Sequence, residues 1–257
     1  MFGRKNKRKL SYKEEAEQAL LKAVDEAHEQ DSKSAEEAKK PTPSTSTKTV
    51  QASKTAPKTV VYIDGENLFW HLFDSLKKQR VIRGRYDLIK LDLKWLLDQV
   101  LKPKNGLEYR YYGTKLREEK SDEKLLKRSQ KMIDHKRRWV GYISQQGIDF
   151  ISAGELKIRD KSEKGQESDL TFAEKGVDVR LATDMIEDAL TGKSKAAVLI
   201  SSDRDLQPAI VAMTRNDKKV VYVGFEGRTN DQMTGSADRS LTITNQLIKE
   251  AYKRSNK

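Results

Sequence analysis

The sequence predicts an α/β fold of three layers, with a mainly parallel central sheet between helices. Three runs carry that prediction: Val60–Ile63, the apolar part of Lys195–Ser202 (KAAVLISS), and the apolar part of Lys218–Phe225 (KKVVYVGF). A strand without polar alternation is apolar on both faces, which suits the middle of a parallel sheet covered by helices. Each run is set among segments of helical period, and strands alternating with helices at this spacing give a parallel sheet. The first two runs end directly in Asp64 and Asp203, so the fold brings both acids to one edge.

In chain order, residues 1–10 form a basic arm. Ser11 and Glu14 stand at capping-box spacing, and Tyr12, Ala16, Ala19, Leu20, Ala23, Val24 and Ala27 recur on one helical face. That narrow, Ala-rich face can pair with another helix, so residues 11–29 are a candidate contact for a homo-oligomer or a protein partner. It is equally the pattern of a marginal helix in solution. Gln30–Lys58 has almost no large apolar residues and reads as a flexible tether, because too little surface can be buried to offset ordering. The chain therefore divides into a disordered, partly helical tail, 1–58, and a folded domain, 59–257.

The domain opens with the strand ending at Asp64. Gly65 is expected to let the chain turn, and Leu68–Leu76 forms a helix against the sheet. Asp64 and Asn67 also have the chemistry of helix caps. Val81–Asp87 reads as a loop flanked by Arg80 and carrying Arg83 and Arg85. Leu88–Leu101 reads as a helix ended by Pro103, and Leu107–Lys115 as a strand whose Tyr109, Tyr111 and Tyr112 fit sheet packing better than base-stacking platforms. Residues 118–147 read as one long helix, with Leu125, Met132, Trp139 and Ile143 inward. Its outward face carries Lys124, Lys127, Arg128, Lys131, Lys136, Arg137 and Arg138, which is either a solvated surface or a nucleic-acid contact. Ile148–Asp160 is expected to be a strand turning at Gly154 into an outer strand, and residues 161–169 a mobile loop. Gly176–Leu190 is a helix led in by Asp178, and Ile243–Lys253 a closing helix.

Composition narrows the chemistry. Of 257 residues, 35% are charged and none is cysteine, which excludes disulfides, thiolate metal sites and a thiol nucleophile. The three histidines, His28, His71 and His135, are scattered, so any metal must be held by oxygen. Lys and Arg number 13 against 9 Asp and Glu before Thr59, leaving 38 against 30 for the domain. A basic domain attracts polyanions. No apolar run has the length of a membrane span, and the basic start lacks the apolar segment of a secretory signal, so the expectation is a cytoplasmic protein without a membrane partner.

Asp64 and Asp203 share a sheet edge, and Asp178 and Asp205 can join them. Carboxylates gathered there repel unless a cation lies between them. Oxygen ligands with few side-chain contacts suit Mg²⁺ or Mn²⁺ better than a Ca²⁺ cage. Such a site activates water and neutralises charge on a phosphate.

The motifs IDGENL, EKGVDVRLATDM and VLISSDRDLQPAI, in that order, resemble the NYN domain of the PIN-like nuclease superfamily, in particular its LabA-like branch. The resemblance covers roughly Thr59 to Lys253. It implies a compact PIN-like, Rossmannoid fold and a metal-dependent endoribonuclease. On this resemblance Asp64, Asp178, Asp203 and Asp205 match the metal carboxylates and Asn67 the residue that orients them. Asp184 matches a further recurrent acid, set aside as second-tier because it falls on another helix face. Where relatives often have Ser-Gly-Asp, this chain has Ser201, Ser202 and Asp203. Arg80, Arg83, Arg85, Lys127, Arg128, Lys131, Arg137 and Arg138 are the expected contacts to RNA, single-stranded or structured, with DNA left open. The competing reading is a non-catalytic RNA-binding or scaffold protein on the same fold. A phosphatase of the aspartyl-phosphate type fits poorly, since Glu66 stands where a second Asp is required.

Overall fold

A computed structural model describes residues 58–103, 106–118, 120, 123–160 and 170–255. The helix expected at 11–29, the tether to Pro57 and the loop 161–169 lie outside the described residues.

The central sheet has six strands in the order β3-β2-β1-β6-β7-β8, and every pairing is parallel. These are β1 (Lys58–Asp64), β2 (Leu107–Gly113), β3 (Ile148–Ser152), β6 (Ser194–Ile200), β7 (Lys219–Phe225) and β8 (Arg239–Ile243). The chain builds outward from β1 through β2 to β3, then returns to the other side of β1 and builds outward again. The strand order therefore reverses between β1 and β6, and a crevice opens beyond the carboxyl ends of strands at such a point.

Side chains alternate across the pleat of β1. Val61 and Ile63 face one core, with α1 (Gly65–Lys78), α2 (Leu93–Leu101), α3 (Glu123–Gln145) and α7 (Asn245–Arg254). Val60 and Tyr62 face the other, with α4 (Val177–Leu190), α5 (Gln207–Arg215) and α6 (Asp231–Ser236). All four side chains are essentially inaccessible, which is why no charged residue interrupts the run from Val60 to Ile63 before Asp64. Tyr109 and Tyr111 are buried on one face of the sheet, as their alternation predicts, and Tyr112 is buried on the other.

Several elements differ from the sequence reading. The segment expected as one helix from Leu88 to Leu101 is a 3-10 turn, Arg85–Lys90, followed by α2. The break lies at Leu91–Asp92, where Asp92 accepts a hydrogen bond from the Trp95 amide and starts a new helix. The strand after Gly154 does not extend the central sheet. It is β4 (Glu155–Asp160), paired antiparallel with β5 (Leu170–Lys175), a strand the sequence reading missed, in a separate two-stranded ribbon. Also missed were α6 and β8, both short; the closing helix starts after them, at Asn245.

Candidate active site

The acidic edge is built by two strand ends. Asp64 closes β1 and caps α1, with its Oδ1 accepting from the Asn67 amide at 3.2 Å. Its Oδ2 accepts from the Ser201 hydroxyl at 2.8 Å, across the β1–β6 boundary. Asp203 follows β6 and caps a short 3-10 turn, Arg204–Leu206, accepting from the Asp205 amide at 2.9 Å. The Asp203 amide in turn donates to the Ser201 hydroxyl oxygen at 2.9 Å, so Ser201 ties the two acids together. Capping and clustering are thus the same arrangement: each acid is fixed by the helix start it caps.

Asp178 enters from the opposite layer, in the first turn of α4. Its position is set by a close backbone approach at the foot of the β4–β5 ribbon. Gly154 and Gly176 both have positive φ, 69° and 86°. A Cβ on Gly154 would sit 2.4 Å from the Lys175 carbonyl oxygen and 3.0 Å from the Val177 nitrogen. Only glycine allows that contact, which holds the start of α4 against the edge.

Burial pushes the Asp64 carboxyl up to about 7, and the charges of Asp178 and Asp203 push in the same direction against the hydrogen bonds from Ser201 and Asn67. Three carboxylates therefore share one electrostatic environment, at the sheet edge where the strand order reverses. They offer hard oxygen donors, which suits Mg²⁺ or Mn²⁺ by chemistry. Among the described residues, however, no three acidic or histidine groups are drawn close enough to hold a metal ion.

Asp64, Asn67, Asp178 and Asp203 all line one open cleft of about 940 Å³. Asp205 does not line it; its side chain is exposed, and its backbone holds Asp203. Asp184 is turned elsewhere, bonded to Tyr112 at 3.1 Å and to Arg180 at 2.6 Å. Of the expected RNA contacts, Arg85, Arg128 and Lys131 line the cleft, joined by Lys136 from the same helix. Arg80, Arg83, Lys127, Arg137 and Arg138 do not, and all are exposed. Lys127 pairs with Glu123 at 2.6 Å and Arg137 with Asp134 at 3.6 Å along their own helix. A helix has one face toward the cleft, and only residues near positions 128, 131, 132, 135, 136 and 139 share it.

Gly65 is required for a different reason than the sequence suggested. Its φ is not positive, but a Cβ there would sit 2.2 Å from the Tyr111 ring and 2.3 Å from the Tyr112 carbonyl oxygen. The Tyr111 hydroxyl donates to the Gly65 carbonyl at 2.6 Å, locking α1 against β2.

The sequence reading missed His71, Ser202 and Arg228. Asn67 is clamped by Ser202: its Nδ2 donates to the Ser202 hydroxyl at 3.0 Å, and its Oδ1 accepts from the Ser202 amide at 3.0 Å. His71 Nε2 lies 2.8 Å from the same hydroxyl, and its ring stacks on Phe225 at 4.0 Å. Burial and the nearby Arg228 push His71 down to about 4, so the imidazole is neutral near pH 7. His71 falls four residues after Asn67, a spacing that puts both on one helix face and was legible in advance. Arg228, from the loop after β7, carried no such signal.

The NYN domain family model matches residues 58–244. No curated protein matches the chain. Among solved structures, a protein of unknown function from Vibrio parahaemolyticus is similar, at 19% identity over 74% of this chain and 95% of that chain, with a TM-score of 0.41. Among the described residues, no helix is long and apolar enough to cross a membrane. With the family model spanning both strand ends that carry the acids, and the six-stranded parallel sheet beneath them, the chain belongs to the NYN domain family.

Proposed function

We propose that the chain is a metal-dependent endoribonuclease of the LabA-like branch, with residues 59–257 as its nuclease domain. The observation that carries this reading is the raised carboxyl of Asp64 within the field of Asp178 and Asp203, in a cleft whose lining also holds Arg85, Arg128, Lys131 and Lys136. A folded protein keeps mutually repelling acids at one edge at a cost in stability, and a bound cation removes that cost. Asp64, Asp178 and Asp203 would hold Mg²⁺ or Mn²⁺, with Asp205 on the exposed side of Asp203. When bound, such a cation supplies charge neutralisation at a phosphate and activation of water.

The protein's own residues do the remaining work. The basic side chains draw the backbone of RNA into the cleft and fix its phosphates. Ser201 and the Asn67 amide hold the Asp64 carboxylate in one orientation. Ser202 does the same for the Asn67 carboxamide, leaving no freedom for it to rotate without losing two hydrogen bonds.

A second reading, a non-catalytic RNA-binding protein, is favoured by one observation: the acids do not close into a three-ligand group. The two separate cleanly. End-labelled RNA and DNA are incubated with the protein in Mn²⁺, Mg²⁺ or EDTA, beside Asp203→Asn and Asp205→Asn. The nuclease reading expects metal-dependent cutting of RNA that Asp203→Asn lowers at least about a hundredfold, as loss of a metal ligand or its orientation does. Asp205→Asn should cost less. Equal RNA binding by all preparations in EDTA, with no cutting in any metal, would establish the binding protein instead.

A further inference from the structure

Two large aromatic side chains in the cleft are left open to solvent. Trp70 is 42% exposed and Tyr86 60% exposed, and both line the cleft that holds Asp64 and Asp203. Neither is needed to fill a core. The cleft floor is already packed by Phe69, Tyr111 and Trp139, which are buried.

The two rings sit on different flanks of the acids. Tyr86 belongs to the 3-10 turn that packs on α3, and its ring meets His135 edge to face at 4.6 Å. His135 continues to Phe69 at 5.7 Å, and Phe69 to Trp139 at 5.5 Å, both edge to face. α3 packs on β3, so this ladder belongs to the β2–β3 half of the sheet. Trp70 leans toward the other half. Arg228, from the loop after β7, lies over its ring at 5.5 Å, and the adjacent His71 lies flat on Phe225 at the end of β7. Asp64 ends β1 and Asp203 follows β6, the two strands between those halves.

Both rings share the cleft with cations: Arg228 lies over Trp70, and Arg85, next to Tyr86 in the chain with its guanidinium over Phe73 at 5.6 Å, also lines the cleft. Alternating cations and flat aromatic surfaces match an unpaired nucleic-acid strand, whose phosphates take the charges and whose bases take the rings. A duplex keeps its bases stacked inside and offers only its backbone and groove edges, so it would leave both rings without a partner.

We propose that Trp70 and Tyr86 are base-stacking platforms that seat unpaired nucleobases on either side of the phosphate at Asp64 and Asp203, and so restrict the cleft to single-stranded RNA. This deepens the nuclease reading and rests on it for what happens to that phosphate. The stacking itself needs no catalysis, so it can be tested apart.

The test measures binding of the full chain to a short labelled single-stranded RNA and to a duplex of the same sequence, by fluorescence anisotropy in EDTA. Trp70→Ala, Tyr86→Ala, Trp70→Phe and Tyr86→Phe are compared with the unmodified protein, with thermal melts to check folding. Each alanine variant should weaken single-strand binding by about tenfold, the loss typical of one stacked base, while duplex binding is unmoved. Phenylalanine keeps a stacking face and should retain most of the affinity. A single strand lacking the base at the stacked position should lose affinity for the unmodified protein and be insensitive to the alanine change.

Alanine variants that bind the single strand as tightly as the unmodified protein overturn the proposal, and metal-dependent cutting would still leave the nuclease reading standing. Equal affinity of the unmodified protein for duplex and single strand, or none for either, also overturns it. Stacking as described, with no cutting in Mn²⁺ or Mg²⁺, keeps the platforms and removes the nuclease.

Discussion

Replacing Asp64 with asparagine should stabilise the protein at alkaline pH while abolishing cleavage. An ordinary Asp carboxyl titrates at 3.8, and in the fold Asp64 is held up to about 7. Between those values the unfolded chain has released its proton and the folded chain still carries it. Stability contributed by Asp64 is therefore fully present below about pH 4, falls as pH rises, and is lost above about pH 7. A shift of about 3 units at about 1.4 kcal/mol each makes the loss about 4 kcal/mol, a large part of a typical domain's stability. Asparagine does not titrate. It can still accept from the Asn67 amide, but it meets Ser201 with an NH₂ group, and Ser201 Oγ already accepts from the Asp203 amide at 2.9 Å. That mismatch costs about 1 kcal/mol. At pH 8 in EDTA, Asp64→Asn should thus be about 3 kcal/mol more stable and melt about 6–12 °C higher; near pH 4 it should be slightly less stable. His71, held down to about 4, has the opposite sign: its stability is present above its ordinary 6.5 and lost as pH falls. It is common to both proteins and cancels in the difference. Circular-dichroism melts from pH 4 to 8 measure that difference directly. A constant offset across the range would refute the argument that burial, with the charges of Asp178 and Asp203 behind it, holds the Asp64 carboxyl up. Mn²⁺ should raise the unmodified protein's melting temperature at pH 8 and leave Asp64→Asn nearly unmoved.

Gly65→Ala forces a methyl group against the Tyr111 ring and the Tyr112 carbonyl; overpacking of this kind costs about 1–3 kcal/mol, and loss of the Tyr111–Gly65 hydrogen bond about 1 more, so a melt should fall by about 4–16 °C. Gly154→Ala adds about 1–2 kcal/mol of left-handed strain to a clash with the Lys175 carbonyl, and should displace the start of α4. Its turnover should drop well before its RNA affinity in EDTA, because Asp178 moves while the basic wall does not. Arg128→Ala with Lys131→Ala should lower the slope of log affinity against log salt by about 1.4 for a single strand, two phosphate contacts' worth. The same double change at Lys127 and Arg137, which lie off the cleft in ion pairs with Glu123 and Asp134, should change it far less.

Much of the fold could be read from periodicity, because burial on both faces leaves a mark. β1, β6 and β7 lie inside the sheet, and only consecutive apolar residues satisfy them. Parallel pairing then requires their ends to share an edge, which alone brings Asp64 and Asp203 together. The short edge elements left no such mark. β8 pairs on one side only and is mostly open to solvent, and β5 pairs away from the main sheet, so neither needs a continuous apolar run. The sequence by itself determined the acidic pair, the basic helix and the family motifs. Three things belonged to tertiary structure alone. Which face of α3 meets the cleft separated Arg128 and Lys131 from Arg137 and Arg138, because helical period defines faces but not their direction. The Gly154–Lys175 contact, which holds Asp178 in place, joins residues distant in the chain. Arg228 and Tyr86 reached the cleft through a loop and a 3-10 turn, whose paths are set by packing against α1 and α3 and leave no period in the sequence.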